Sequence, residues 1–185
     1  IGHGLRGQIV GFERFGRSHL PEVLSALPWG LLQRLDAVHM TRTLAAMEED
    51  AMRRQRWFGD STLVLDLDGL GWSHCTPAAC RAYAKLVQYR DMLLPCSLDR
   101  ILVIRAPRAF TVAWGMLQRL LDPITREKVQ IVSSPEASLA LLRQHLSDEV
   151  IPGYLGGQRH TQGDPDCRLL LGTSSSGPPP PEGFY

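Results

Sequence analysis

The stretch DRILVIRAPRAFTVAWGMLQRLLDPITREKVQIVSS, residues 99–134, contains two strand-like runs with an amphipathic segment between them. ILVI is an uninterrupted apolar run, the pattern of a strand covered on both faces. VQIV, ahead of two serines, is a second short β-branched run. Between them Phe110, Ala113, Trp114, Leu117 and Leu121 recur at helical spacing, which predicts a helix over about 110–121. Strand, helix and strand within so short a stretch form a βαβ unit and imply parallel pairing.

The same alternation extends in both directions. STLVLDLDG (61–69) is another covered strand. Thr76-Pro77 then supplies a cap followed by proline in the first turn, opening a helix that runs to about Leu94, before Pro95. GQIVGFERFG (7–16) reads as a strand bounded by glycines. After a short helical connection, a long helix begins at Pro28 and runs to about Trp57, with Met40, Leu44, Met47 and Ala51 on its buried face. At about 1.5 Å per residue it would be about 45 Å long, so a bend is expected. On the C-terminal side, Ser134-Pro135 opens a last helix ending near His145. The fold class is therefore α/β: a mainly parallel sheet with strands near 9–15, 61–67, 100–105 and 128–132, surrounded by helices.

Residues 1–157 read as one domain and residues 158–185 as a Ser/Gly/Pro-rich tail, whose end TSSSGPPPPEGFY cannot bury a core. That tail is expected to lack a fixed conformation and, as polyproline II, to offer a site for a protein partner. The chain has 185 residues and a formal net charge of +1, which argues against a dedicated nucleic-acid binder. Cys75, Cys80, Cys96 and Cys167 have no zinc-like spacing and read as reduced thiols of an intracellular protein. No stretch approaches the roughly 20 apolar residues of a membrane span. Starting at Ile1 and entering a strand almost at once, the sequence reads as part of a longer polypeptide, with a cytoplasmic setting and peripheral membrane contact as the expectation.

Asp66-Leu67-Asp68-Gly69, after an apolar run, mimics the nucleophile motif of haloacid-dehalogenase-type phosphatases. Such a site also requires a Ser or Thr after the next strand, a Lys and a later acidic pair for Mg²⁺. Here the next strand ends in Arg-Ala-Pro and the one after it in serines. Asp148-Glu149 follow a helix, and Asp164 and Asp166 lie in the tail. The expectation is a strand end whose carboxylates accept backbone N–H groups, with no metal, no catalytic residue and no enzyme activity.

Taken in order, residues 7–157 resemble the CRAL-TRIO lipid-binding domain family, which includes the yeast phosphatidylinositol/phosphatidylcholine transfer protein and the tocopherol and retinaldehyde carriers. IVGFERFGR, MTRTLAAMEEDAMRRQR and LVLDLDGLGWS are similar to its first half. The opening stretch, with its Ala-Pro turn and DPITREK, and LLRQHLSDEVIPGYLGG are similar to its second half. The resemblance implies that the sheet floors an apolar pocket and that the helix carrying Phe110, Ala113, Trp114, Leu117 and Leu121 is its movable gate. It implies no cofactor, only a phospholipid or other hydrophobic ligand exchanged at a membrane surface.

In phosphoinositide-binding members a Pro-Glu-Arg segment acts with a Lys after the Asp-Pro motif. This chain keeps that Lys as Lys128, but has Pro95-Cys96-Ser97 in place of Pro-Glu-Arg, so half of the pattern is missing. Lys128 either pairs a phosphate or bonds to Asp122 or Glu127, and Ser73 and His74 are the other headgroup candidates. The family's N-terminal helical subdomain is absent from this sequence. The alternative to a carrier is a scaffold module of the same fold with its pocket filled by Met92, Leu94, Phe110 and Trp114.

Overall fold

The computed structural model describes residues 2–18, 23, 26–55, 61–93 and 98–160. Five strands form one sheet in sequence order: β1 (Gly2–His3), β2 (Ile9–Glu13), β3 (Ser61–Asp66), β4 (Leu98–Ile104) and β5 (Val129–Ile131). β2 to β5 pair in parallel, and only the two-residue β1 runs antiparallel, against β2. The predicted mainly parallel α/β architecture is the one observed. β1 is too short for any pattern to announce it.

Among the described residues five α-helices connect and flank the strands: α1 (Trp29–Arg54), α2 (Pro77–Leu93), α3 (Arg108–Leu117), α4 (Pro123–Glu127) and α5 (Pro135–Arg143). α1 ends before the predicted Trp57, because Gln55 turns left-handed (φ 50°) and its N–H closes onto the carbonyls of Ala51 and Met52. Met47 is buried on the face that also holds Met40, Leu44 and Ala51. α3 starts two residues earlier than expected, directly after Pro107, and ends at Leu117. Beyond it Arg119 and Leu120 donate to carbonyls three residues back, so the chain tightens into a turn instead of extending the helix to Leu121. α4 was not anticipated. Asp122 caps it by accepting the Thr125 N–H, with Pro123 in its first turn.

The period-two alternation of β3 and β4 divides the interior. Val64, Leu102 and Ile104 face α5 and pack with Leu141, Leu142, Leu146 and Ile151. Leu65, Ile101 and Val103 face the other way, with Leu67, Leu70 and Phe110. The Gly156-Gly157 pair closes the α5 side. Gly156 sits at φ +89°, and a Cβ on Gly157 would lie 2.0 Å from the Ile151 carbonyl oxygen. Only glycine fits there.

At the opposite end of the strands His145 accepts from the Arg100 guanidinium through Nδ1 at 2.9 Å, while its carbonyl receives the Leu5 N–H. Burial, then Arg100 and Arg6, holds its imidazole below the ordinary value of 6.5. The folded state therefore binds this proton less readily than the unfolded chain does. The stability it contributes is complete above pH 6.5 and is lost as pH falls below that value. Thermal melts should show a lower Tm at pH 5 than at pH 7.5, and His145→Gln should flatten that difference. An unchanged slope in the variant would count against this account.

Candidate functional site

Between the second face of the sheet and helices α2 and α3 lies an apolar cavity of about 90 Å³. Its floor is made by Leu65, Val103, Ile101 and Val129 of three adjacent strands. Its roof is α3, which contributes Phe110, Ala113, Trp114 and Leu117, and Leu121 enters from the turn that follows. All five residues named from the sequence thus meet at one place. Phe110 and Trp114 stack with ring centroids 6.0 Å apart, consistent with their i, i+4 spacing. The exposed face of α3 and its continuation is also apolar: Val112, Met116, Leu120 and Ile124 are exposed.

One wall escaped the sequence reading. Ala79, Cys80, Tyr83 and Val87 of α2 line the cavity at i, i+1, i+4 and i+8, together with Phe15 from the turn after β2. Their helical spacing was legible, but nothing in it distinguished a cavity wall from an ordinary buried face. Tyr83 meets Phe15 edge to face at 5.2 Å. Its hydroxyl pKa is pushed up to about 12, chiefly by burial. Cys75 and Cys80 are free thiols on the same cavity, and burial raises both.

The headgroup candidates are distributed differently. His74 lines the cavity, and its Nδ1 accepts the Gly71 N–H at 3.2 Å and faces the Ser73 hydroxyl at 3.3 Å. Ser73 is thereby committed to the His74 ring. Lys128, half-buried at the end of α4, is not among the lining residues. Among the described residues it forms no ion pair with Asp122 or Glu127. Its charge instead acts on Asp91, whose carboxyl is raised by burial and by Asp122 and lowered by the Thr125 hydroxyl and Lys128. Met92 is 82% exposed at the end of α2, so it does not fill the cavity as the scaffold alternative required. Leu94, the Pro95-Cys96-Ser97 segment, Cys96, Cys167, Trp57 and the tail from residue 161 onward lie outside the described residues.

The Asp-x-Asp-Gly motif stands on the other side of the sheet. Buried Asp66 accepts from Nε and Nη2 of Arg105 and from the Asp68 backbone N–H. Asp68 pairs with Arg17 at 2.8 Å, and that hydrogen bond holds its carboxyl below the usual range. Among the described residues no group of three His, Cys, Asp or Glu side chains could hold a metal ion. Asp66→Ala would leave the Arg105 guanidinium without its buried partner, which typically costs about 3–5 kcal/mol. Urea denaturation should show a loss of that order, and a change under ~1 kcal/mol would mean the pair is not structurally important.

Residues 17–157 match the sequence profile of the CRAL/TRIO domain. Protein real-time of Drosophila melanogaster is 29% identical over 153 residues, covering 82% of this chain and 23% of that protein. A CRAL-TRIO domain-containing protein of Caenorhabditis elegans is 28% identical over 137 residues, covering 69% of the chain and 19% of its own length. A phosphatidylinositol/phosphatidylcholine transfer protein of Arabidopsis thaliana is 26% identical over 153 residues, covering 82% and 26%. The chain thus spans about a quarter or less of these relatives.

Proposed function

The chain belongs to the CRAL/TRIO domain family, and on that premise we propose that it is a non-enzymatic carrier domain that encloses a lipid between its sheet and α3. The observation that carries this reading is the apolar cavity roofed by Phe110, Ala113, Trp114, Leu117 and Leu121. An acyl chain loses about 0.8 kcal/mol of stabilisation per CH₂ on entering water, and a closed apolar site removes that penalty. The Arabidopsis relative, named a phosphatidylinositol/phosphatidylcholine transfer protein, supports the same reading.

The exposed row Val112, Met116, Leu120 and Ile124, beside Arg108, Arg119 and Arg126, suits transient contact with an anionic bilayer surface. The reading includes a cytoplasmic setting with peripheral membrane association. No described helix is long and apolar enough to cross a membrane. In this reading α3 moves outward at the membrane, and Lys128 serves anionic headgroups at the rim.

A second reading, a scaffold module of the same fold, is favoured by one observation. The cavity volume of about 90 Å³ is well below the roughly 300–1,000 Å³ of typical ligand pockets. Native mass spectrometry of the purified chain, with solvent extraction, separates the two. A stoichiometric co-purifying lipid supports the carrier, whereas ligand-free protein that takes up no lipid from vesicles supports the scaffold. For the carrier, Trp114→Asp should cut loading about tenfold or more, because an unpaired buried carboxylate costs several kcal/mol. Thr111→Asp, on the exposed face of α3, should load normally. Lys128→Ala should weaken uptake of anionic lipids only, and equal loss of neutral lipids would refute a headgroup role for that lysine.

A further inference from the structure

The outer face of α3 carries one hydroxyl among its apolar and basic side chains. Arg108, Thr111, Val112, Met116 and Arg119 recur at helical spacing, and all are exposed. Phe110, Ala113 and Trp114 line the cavity, whereas Thr111 does not. Its hydroxyl is also uncommitted. Thr41 and Thr43 in α1 donate back to the carbonyls of Ala37 and His39, but Thr111 makes no side-chain hydrogen bond among the described residues. The start of α3 has no side-chain cap and no acidic residue in its first turn. α4 and α5, by contrast, are capped by Asp122 and Ser134. An uncapped first turn unwinds readily, and its N–H groups have no negative charge beside them.

Arg108 stands three residues before this hydroxyl, and no other Ser or Thr of the 185-residue chain has Arg or Lys at that offset. Protein kinases with an acidic peptide groove select such an arrangement by charge complementarity. We propose that Thr111 is a phosphorylation site, and that its phosphate releases the domain from anionic membranes while leaving the cavity intact. The proposal deepens the carrier reading and rests on the membrane contact given there to α3. In the reaction Thr111 Oγ1 attacks the γ-phosphorus of ATP. The new O–P bond replaces the β–γ bridge, ADP leaves with that electron pair, and the hydroxyl proton passes to the kinase's base. The product carries about −1.5 to −2 charges near pH 7.

Helical side chains lean toward the N-terminus, so the phosphate lies over the first turn of α3. There the helix dipole and Arg108, one turn back, both favour it. The fold accepts the group. The membrane face does not. Arg108, Arg119 and Arg126 supply the positive charge beside the exposed row Val112, Met116, Leu120 and Ile124. A phosphate on Thr111 cancels up to about two of those charges, which should weaken attachment to an anionic surface about thirtyfold. Loading and delivery are thereby separated: the cavity face of α3 is untouched, and the outer face loses its hold.

The test treats the purified 185-residue chain with ATP and the catalytic domain of a calmodulin-dependent protein kinase. Fragment mass spectrometry should place the phosphate on Thr111. Arg108→Gln should slow the transfer, and Thr111→Ala should lose it. Sedimentation then compares the modified and unmodified chains on phosphatidylcholine vesicles with and without phosphatidylserine. The phosphorylated chain should bind the vesicles containing phosphatidylserine about thirtyfold more weakly, with no loss in melting temperature. A chain phosphorylated elsewhere, or not at all, overturns the site. Phosphorylation at Thr111 that leaves vesicle binding as it was, or that lowers the melting temperature, overturns the switch and leaves the carrier reading standing. An unmodified chain that ignores both kinds of vesicle overturns the membrane contact itself, and the proposal with it.

Discussion

The bond between Asp66 and Arg105 determines how the carboxyl edge of the sheet is built. Arg105 leaves β4 in a left-handed conformation (φ 51°), which a residue other than glycine holds only when its surroundings fix it. Its backbone N–H goes to the Ser138 hydroxyl, which in turn donates to the Ser134 carbonyl and so ties α5 to the sheet. Its guanidinium grips Asp66 at the end of β3. Two residues later Pro107 starts α3. The roof of the cavity on one face thus takes its origin and direction from an ion pair on the other. The Asp-x-Asp-Gly motif is occupied by this task.

Among the described residues, polar contacts on the cavity side are fewer. The turn after α3 is held to α2 by the Gln88 side chain on the Leu120 carbonyl and by Thr125 on Asp91. Most of the remaining attachment of α3 is apolar contact through Ala113, Leu117 and the stacked Phe110–Trp114 pair. Apolar contact is non-directional, and its strength depends on the alternative being water. Against a bilayer that alternative is hydrocarbon, and the same contacts lose much of their holding power. For the carrier function proposed above, a roof fixed in this way would be stable in solution and weakly held at a membrane.

Much of this was readable from the residues. The covered strands, the cap-plus-proline starts at Thr76-Pro77 and Ser134-Pro135, and the helix carrying Phe110, Ala113, Trp114 and Leu117 all have local causes, and all fell within a few residues of their observed places. What escaped had non-local causes. Arg105 as the partner of Asp66 depends on two strands lying side by side. The α2 wall, with Tyr83, shows the same spacing whether it faces a cavity or a filled core. The end of α3 at Leu117 comes from a tightening turn before Asp122-Pro123, whose capping signal was present but unread as a helix start. Asp122 repeats the signal of Ser134: a short polar side chain followed by proline.

The alternation along β4 has a consequence for how such a domain diversifies. Leu102 and Ile104 serve the packing against α5, while Ile101 and Val103 form the cavity floor. Neighbouring residues therefore answer to different packing constraints. Substitutions at odd positions reshape what the cavity admits and leave the α5 side intact. Even positions are held by the volume of a close-packed interior. For the carrier function proposed above, the strand separates the residues that would set ligand preference from those that hold the fold.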